Sequence, residues 1–294
     1  MGNERIFSFS GGASALLSYF HFFARHSRSS QPLPVTKSYF SNTLRKLVVK
    51  LAKRLYLGEL EIQTGPEAAT ADPALARFAG KTLTVTGDSI TEKNFRAALN
   101  WHDYLKTWLG FGLVINDGKS GTGLTRTYGS EAGIYSRIDT WSAATDFILV
   151  MASLNDGGGN NAALPLGQLS DTGVGTSYYG DCKAVIEKLL AKYPNKPIGF
   201  ITAPPRGTVQ DRGATHGVDG WYHPWCEALK TVCAQYSLPC LDIYHNSGLR
   251  PWIAANNALY FSCPSSPAGD GTHPNAEGQK ILAYRITEFV KGNL

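Results

Sequence analysis

The chain has no cysteine pair at CxxC spacing and no G-x-S-x-G. No run of it approaches the roughly 18 consecutive apolar residues of a membrane-spanning helix. Each absence removes a class of protein. Five cysteines occur, Cys182, Cys226, Cys233, Cys240 and Cys263, with no pair at the spacing of a zinc motif, so a cysteine-based zinc site is not expected, nor any other metal. Cys226 and Cys233 fall in one expected helix, and seven residues span about 10.5 Å along its axis, too far for a bridge. An odd count leaves at least one thiol unpaired unless chains pair, and the redox compartment stays open. Without G-x-S-x-G there is no ordinary α/β-hydrolase nucleophile elbow. Gly118-Lys119-Ser120 resembles the end of a phosphate-binding loop, but that pattern needs glycine at 113 and finds Leu113.

Charge is scarce (17% of residues) and unevenly placed. Residues 1–60 carry nine Lys/Arg against only Glu4 and Glu59, while the rest of the chain is slightly acidic. The body therefore needs no polyanionic partner, and nucleic acid is not expected. Segment 11–24, GGASALLSYFHFFA, is apolar but short. Glu4 interrupts the positive start and no A-x-A site follows, so it is no clear signal peptide. An extracellular, envelope- or virion-associated setting is nonetheless the expectation. Over residues 41–57, Leu44, Leu47, Val48, Leu51, Ala52 and Leu55 recur at helical spacing with Lys/Arg opposite. That helix has three outlets: packing on the body, pairing with a sister chain, or contact with an anionic membrane surface. Residues 1–77 thus read as a basic arm with a linker, and 78–294 as the main domain.

From residue 80 strands and helices alternate. Strands are expected at 82–86, 113–116, 146–152, 197–202 and 239–243, and helices near 94–109, 131–140, 179–193, 222–236 and 275–291. The nearly continuous apolar run at 146–152 suits a strand covered on both faces. Together they predict an α/β fold with a doubly wound parallel sheet. In such a sheet all carboxyl ends of strands share one edge, where ligands bind.

Four polar clusters fall at that edge: Gly87-Asp88-Ser89, Asn116 through Gly121, Ser153-Leu154-Asn155-Asp156, and Asp270-Gly271-Thr272-His273. Singly each is an ordinary turn or cap. Together they divide the labour of acyl transfer. Ser89 is the candidate nucleophile and His273 the base that takes its proton. Asp270 folds back in a tight loop to hold the imidazole. The backbone N–H groups of Ser89 and Gly121 and the Asn155 amide are the candidate oxyanion donors. A second Asp-x-x-His, Asp242 and His245, lies on or just past the fifth strand. Three positions apart in a strand, its side chains point to opposite faces, so no couple is expected there.

These blocks resemble the SGNH hydrolases, also called GDSL lipases/esterases, over about residues 80–294. The matches are Gly87-Asp88-Ser89-Ile90-Thr91, N-x-G-x-S-G at Asn116–Gly121, Asn155-Asp156, and D-x-x-H at Asp270–His273. Ser153 stands where the family's third block has glycine. The resemblance implies a three-layer α/β/α fold with the flavodoxin-like strand order 2-1-3-4-5. It also implies ester hydrolysis without metal or cofactor, and it carries the roles above onto the same residues.

The segment 203–225 is polar and aromatic and follows the fourth strand. Asp88, Arg206, Trp221 and Tyr222 are candidate substrate contacts, the aromatics for stacking on a sugar and the arginine for an acidic one. The alternative for the aromatics is packing on the following helix. No long apolar insertion suggests a lid, so short acyl esters on carbohydrate are expected before lipid or aryl esters. A non-catalytic glycan-binding or structural module is the contrasting class.

Overall fold

A computed structural model describes residues 73–93, 95–152, 154–157, 164–207 and 222–294. These fall in the second of two units into which the chain divides, Ala68–Leu294. The basic helix expected over 41–57, Ser153 and Trp221 lie outside the described residues.

The element order is α1 (Pro73–Ala76), β1 (Thr82–Gly87), α2 (Trp101–Leu109), β2 (Leu113–Gly118), α3 (Ile134–Arg137) running into a 3-10 turn, and β3 (Phe147–Ala152). There follow α4 (Tyr178–Lys192), β4 (Ile198–Thr202), α5 (His223–Gln235), β5 (Cys240–Leu241), α6 (Ile243–Asn246), α7 (Ala254–Tyr260) and α8 (Ala276–Asn293). The five strands form one parallel sheet in the order β2-β1-β3-β4-β5. Both the α/β class and this strand order agree with the sequence expectation.

Alternation along β3 explains the three layers. All six of its residues are buried. Phe147, Leu149 and Met151 pack with Trp101, Leu105, Leu282 and Ile286, from α2 and α8. Ile148, Val150 and Ala152 pack with Val185, Leu189, Leu229 and Val232, from α4 and α5. A period of two on a central strand thus feeds two separate cores. On β1 one face is apolar, through Leu83 and Val85. The other is threonine, and the Thr84 hydroxyl is satisfied by that of Thr145 at 2.8 Å.

Three expected elements shorten. The helix expected from 94 starts only at Trp101, because Asn100 caps it. The Asp103 carboxylate accepts the Asn100 N–H at 2.8 Å, while the Asn100 amide donates to Glu92 O at 3.0 Å. The helix at 131–140 is one α turn followed by a 3-10 turn, and the fifth strand spans two residues.

Candidate active site

β1 ends in Gly87 because no side chain fits there. A Cβ would lie 2.4 Å from Thr91 Oγ1 and 3.0 Å from Met151 O. The chain then turns: Thr91 N–H and Glu92 N–H both donate to Asp88 O, and Ile90 N–H donates to Asp88 Oδ1 at 2.9 Å. Gly-Asp-Ser is therefore a turn, and that turn lifts Ser89 above the sheet edge.

The second cluster braces the first. Asn116 donates its amide to Thr91 O at 3.0 Å and accepts from Gly118 N–H at 2.8 Å. Its amide also lies 3.1 Å from Nε2 of the buried His102. Burial holds the His102 imidazole below its ordinary pKa, in spite of Asp103 beside it. Arg137, itself buried, spans both strand ends. Its Nε donates to Asp117 Oδ2 at 2.9 Å, and its amino groups donate to Thr86 Oγ1, Thr122 Oγ1 and Asp117 O.

The last cluster lies in the loop before α8. Asp270 Oδ1 accepts the N–H groups of Thr272 and His273, at 2.8 and 2.7 Å, and Oδ2 meets His273 Nδ1 at 2.8 Å. Gly271 has φ +66°, a left-handed conformation that lets the loop fold so tightly. His273 Nε2 then lies 2.9 Å from Ser89 Oγ, across 184 positions of chain. Hydroxyl, imidazole and carboxylate thus form one continuous hydrogen-bonded row. Partial burial alone would raise the Asp270 carboxyl. Bonds from the His273 ring and from the His273 and Thr272 backbones outweigh it and bring the pKa down to about 2. Arg96 Nε, 3.5 Å from Asp270 Oδ2, lies on the same carboxylate.

Asn155 is buried beside this row. Its amide donates to Thr122 O at 3.1 Å and to Asp88 Oδ2 at 3.3 Å, so both amide hydrogens face protein acceptors. Gly121 has φ +75°, and a Cβ there would fall 2.4 Å from the Tyr128 ring. The need for glycine at 121 is thus set by backbone conformation and by Tyr128.

Two expected substrate contacts are placed inward. Asp88 is buried and turned inward, bonded to Ile90 and Asn155. Burial raises its pKa, which Ile90 N–H and the nearby His273 and Arg206 only partly offset. Tyr222 is 1% exposed and donates its hydroxyl to Pro204 O at 2.6 Å, so its ring belongs to the core beside Tyr244. The packing alternative holds for it. Arg206 is half-buried near Asp88.

The expectation for Asp242 and His245 is also overturned. β5 ends at Leu241, and Asp242 caps the single turn α6, so its carboxylate accepts both His245 N–H at 3.0 Å and His245 Nδ1–H at 2.9 Å. In a helical turn, positions three apart share a face.

Two residues to which the sequence assigns no role, Gln279 and Asp156, are buried beside these parts. Gln279 on α8 donates to Ile90 O at 3.2 Å and accepts Trp101 N–H at 3.0 Å, linking the serine turn, α2 and α8. Its signal is an amide on a helix face that, Thr287 apart, is built of apolar and small residues. Asp156 is fully buried and accepts Leu124 N–H at 2.9 Å through Oδ1. Its Oδ2 has no hydrogen-bond partner among the described residues.

Comparison with known proteins agrees with this architecture. A structure of a Lactobacillus plantarum protein is 27% identical, covers 74% of this chain and 99% of its own, and superposes with a TM-score of 0.62. A possible lipase from Chitinophaga pinensis, 20% identical, shares the fold over 72% of this chain and 98% of its own, with a TM-score of 0.54. Among curated proteins no match is found. The model of the GDSL-like lipase/acylhydrolase family matches residues 85–281, from within β1 to within α8. A match spanning every strand of the sheet and all four polar clusters establishes that the chain belongs to the GDSL-like lipase/acylhydrolase family, whose members are ester-cleaving hydrolases.

Proposed function

We propose that the protein is a serine esterase that hydrolyses short acyl groups, acetyl above all, from carbohydrate through an acyl-enzyme. The 2.9 Å contact between Ser89 Oγ and His273 Nε2, continued at 2.8 Å to Asp270, carries the proposal. His273 takes the hydroxyl proton as Ser89 Oγ attacks the ester carbonyl carbon, and the imidazolium then protonates the departing alcohol. Water repeats the sequence in reverse and releases the acid. Asp270, with a pKa near 2, is ionised throughout and steadies the imidazolium.

The oxyanion falls to the N–H groups of Ser89 and Gly121 and to the Asn155 amide. Asn155 must turn one hydrogen from Thr122 O or Asp88 toward the substrate oxygen, so this donor is recruited when substrate binds. Arg206, near Asp88, is the candidate contact for an acidic sugar, and Trp221 is a candidate aromatic for stacking.

A second reading, lipid or aryl esters, draws on Phe95 (70% exposed) and Leu99, which flank Arg96 and its contact with Asp270. Turnover of acetyl, octanoyl and palmitoyl p-nitrophenyl esters, together with release of acetate from acetylated polysaccharide, separates the two. Acetyl preference is expected, and a palmitoyl preference contradicts it.

A further inference from the structure

Away from the serine row, two histidines and a glutamate meet in an arrangement that ester hydrolysis does not use. His223 and Glu227 stand four residues apart on α5 and so share a face, and His245 comes from α6, just past β5. One ligand atom from each lies within 4.8 Å of the others. We propose that His223, Glu227 and His245 form a binding site for a divalent transition-metal ion of the zinc type, clasping the start of α5 to the turn after β5.

Several features point the same way. Nitrogen and oxygen ligands about 2.1 Å from a tetrahedral ion sit about 3.4 Å apart, so small side-chain rotations close the set. His223 Nε2 is already 3.5 Å from Glu227 Oε1. His245 donates its Nδ1–H to Asp242 at 2.9 Å, which leaves Nε2 with its lone pair, the usual way in which an outer carboxylate prepares a metal-binding imidazole. The His223 ring is stacked on Tyr244, with centroids 5.3 Å apart, and meets His245 edge-on at 5.1 Å. All three side chains reach solvent, which gives an ion its entry. Two imidazoles and one carboxylate select zinc, cobalt or nickel over magnesium or calcium, which prefer oxygen.

Lys230 supplies a competing charge. Its ammonium is 2.7 Å from both Glu227 Oε1 and Asp242 Oδ2, and it holds together two carboxylates that would otherwise repel. An incoming ion must share Glu227 with that lysine. Substituting the lysine therefore strengthens ion binding, whereas substituting a ligand weakens it.

Calorimetric titration of the full chain with Zn²⁺, after chelator treatment and in a non-thiol reductant, tests the site. One ion per chain is expected on wild type, lost in His223→Ala and in His245→Ala. Asp242→Asn should weaken it by about tenfold, and Lys230→Gln should tighten it. Saturating Zn²⁺ should raise the Tm of wild type by about 5 °C and leave the His223→Ala protein unmoved. Co²⁺ should give d–d bands without a thiolate charge-transfer band, and ester turnover should not change when the ion is removed. Unaltered binding in both histidine variants, a thiolate band, or no binding to wild type below about 100 µM would each overturn the proposal.

Discussion

The molecule contains two Asp-x-x-His pairs, built alike and placed differently. In each, the aspartate accepts the histidine backbone N–H, at 2.7 Å for 270/273 and 3.0 Å for 242/245. In each it also meets the Nδ1 of the same ring, at 2.8 and 2.9 Å. The couple is thus a local device, produced wherever a turn starts at aspartate. What separates the pairs is the neighbour each ring meets. His273 faces Ser89, while His245 faces His223 and Glu227. Chemistry follows from the third group, which only the fold supplies.

The largest expected effect breaks this symmetry outright. His273→Ala should lower kcat by about 10⁴-fold or more, whereas His245→Ala stays within about twofold. Asp270→Asn against Asp242→Asn should repeat the split, because only the first loses a carboxylate that steadies a reacting imidazole. Steady-state kinetics on p-nitrophenyl acetate reads both, and equal losses would contradict a catalytic role confined to 270/273.

Asn155→Ala sharpens the picture at the acceptor side. Loss of one oxyanion donor should cost about 10²–10³ in kcat with KM nearly unchanged. A change confined to KM would make Asn155 a binding residue instead.

The smallest effect concerns Asp156, whose pKa burial raises to about 7, with Asp181 and Asp88 adding to the rise and Leu124 N–H opposing it. The folded chain then holds a proton that the unfolded chain releases near pH 4. This contribution to stability is full below about pH 4 and declines as pH rises toward 7. Denaturant midpoints measured across that range should fall in wild type, and Asp156→Asn should flatten the slope. An unchanged slope in the variant would contradict the assignment.

Much of the fold is legible in the sequence because β3 and β4 are continuous apolar runs and the helices between them keep their period. The strand order came instead through the family resemblance. Three of the polar clusters are legible as strand ends, and the fourth, 270–273, joins them from the loop before α8. What was illegible depends on atoms distant in the chain. For Tyr222 the sequence leaves substrate stacking and packing both open, and the bond of its hydroxyl to Pro204 O goes with packing. Asp88 reads as a substrate contact until Ile90 and Asn155 claim it. The 242/245 couple is hidden from the sequence because β5 stops at Leu241, a boundary that apolar pattern alone does not mark.

The proposed role of Ser89 is tested most directly by reaction with a serine-directed phosphonate, followed by intact-mass and peptide analysis. One adduct on Ser89 is expected, absent from Ser89→Ala, strongly slowed in His273→Ala and unaffected in His245→Ala. An adduct on another residue, or no reaction of the wild-type chain, would contradict it.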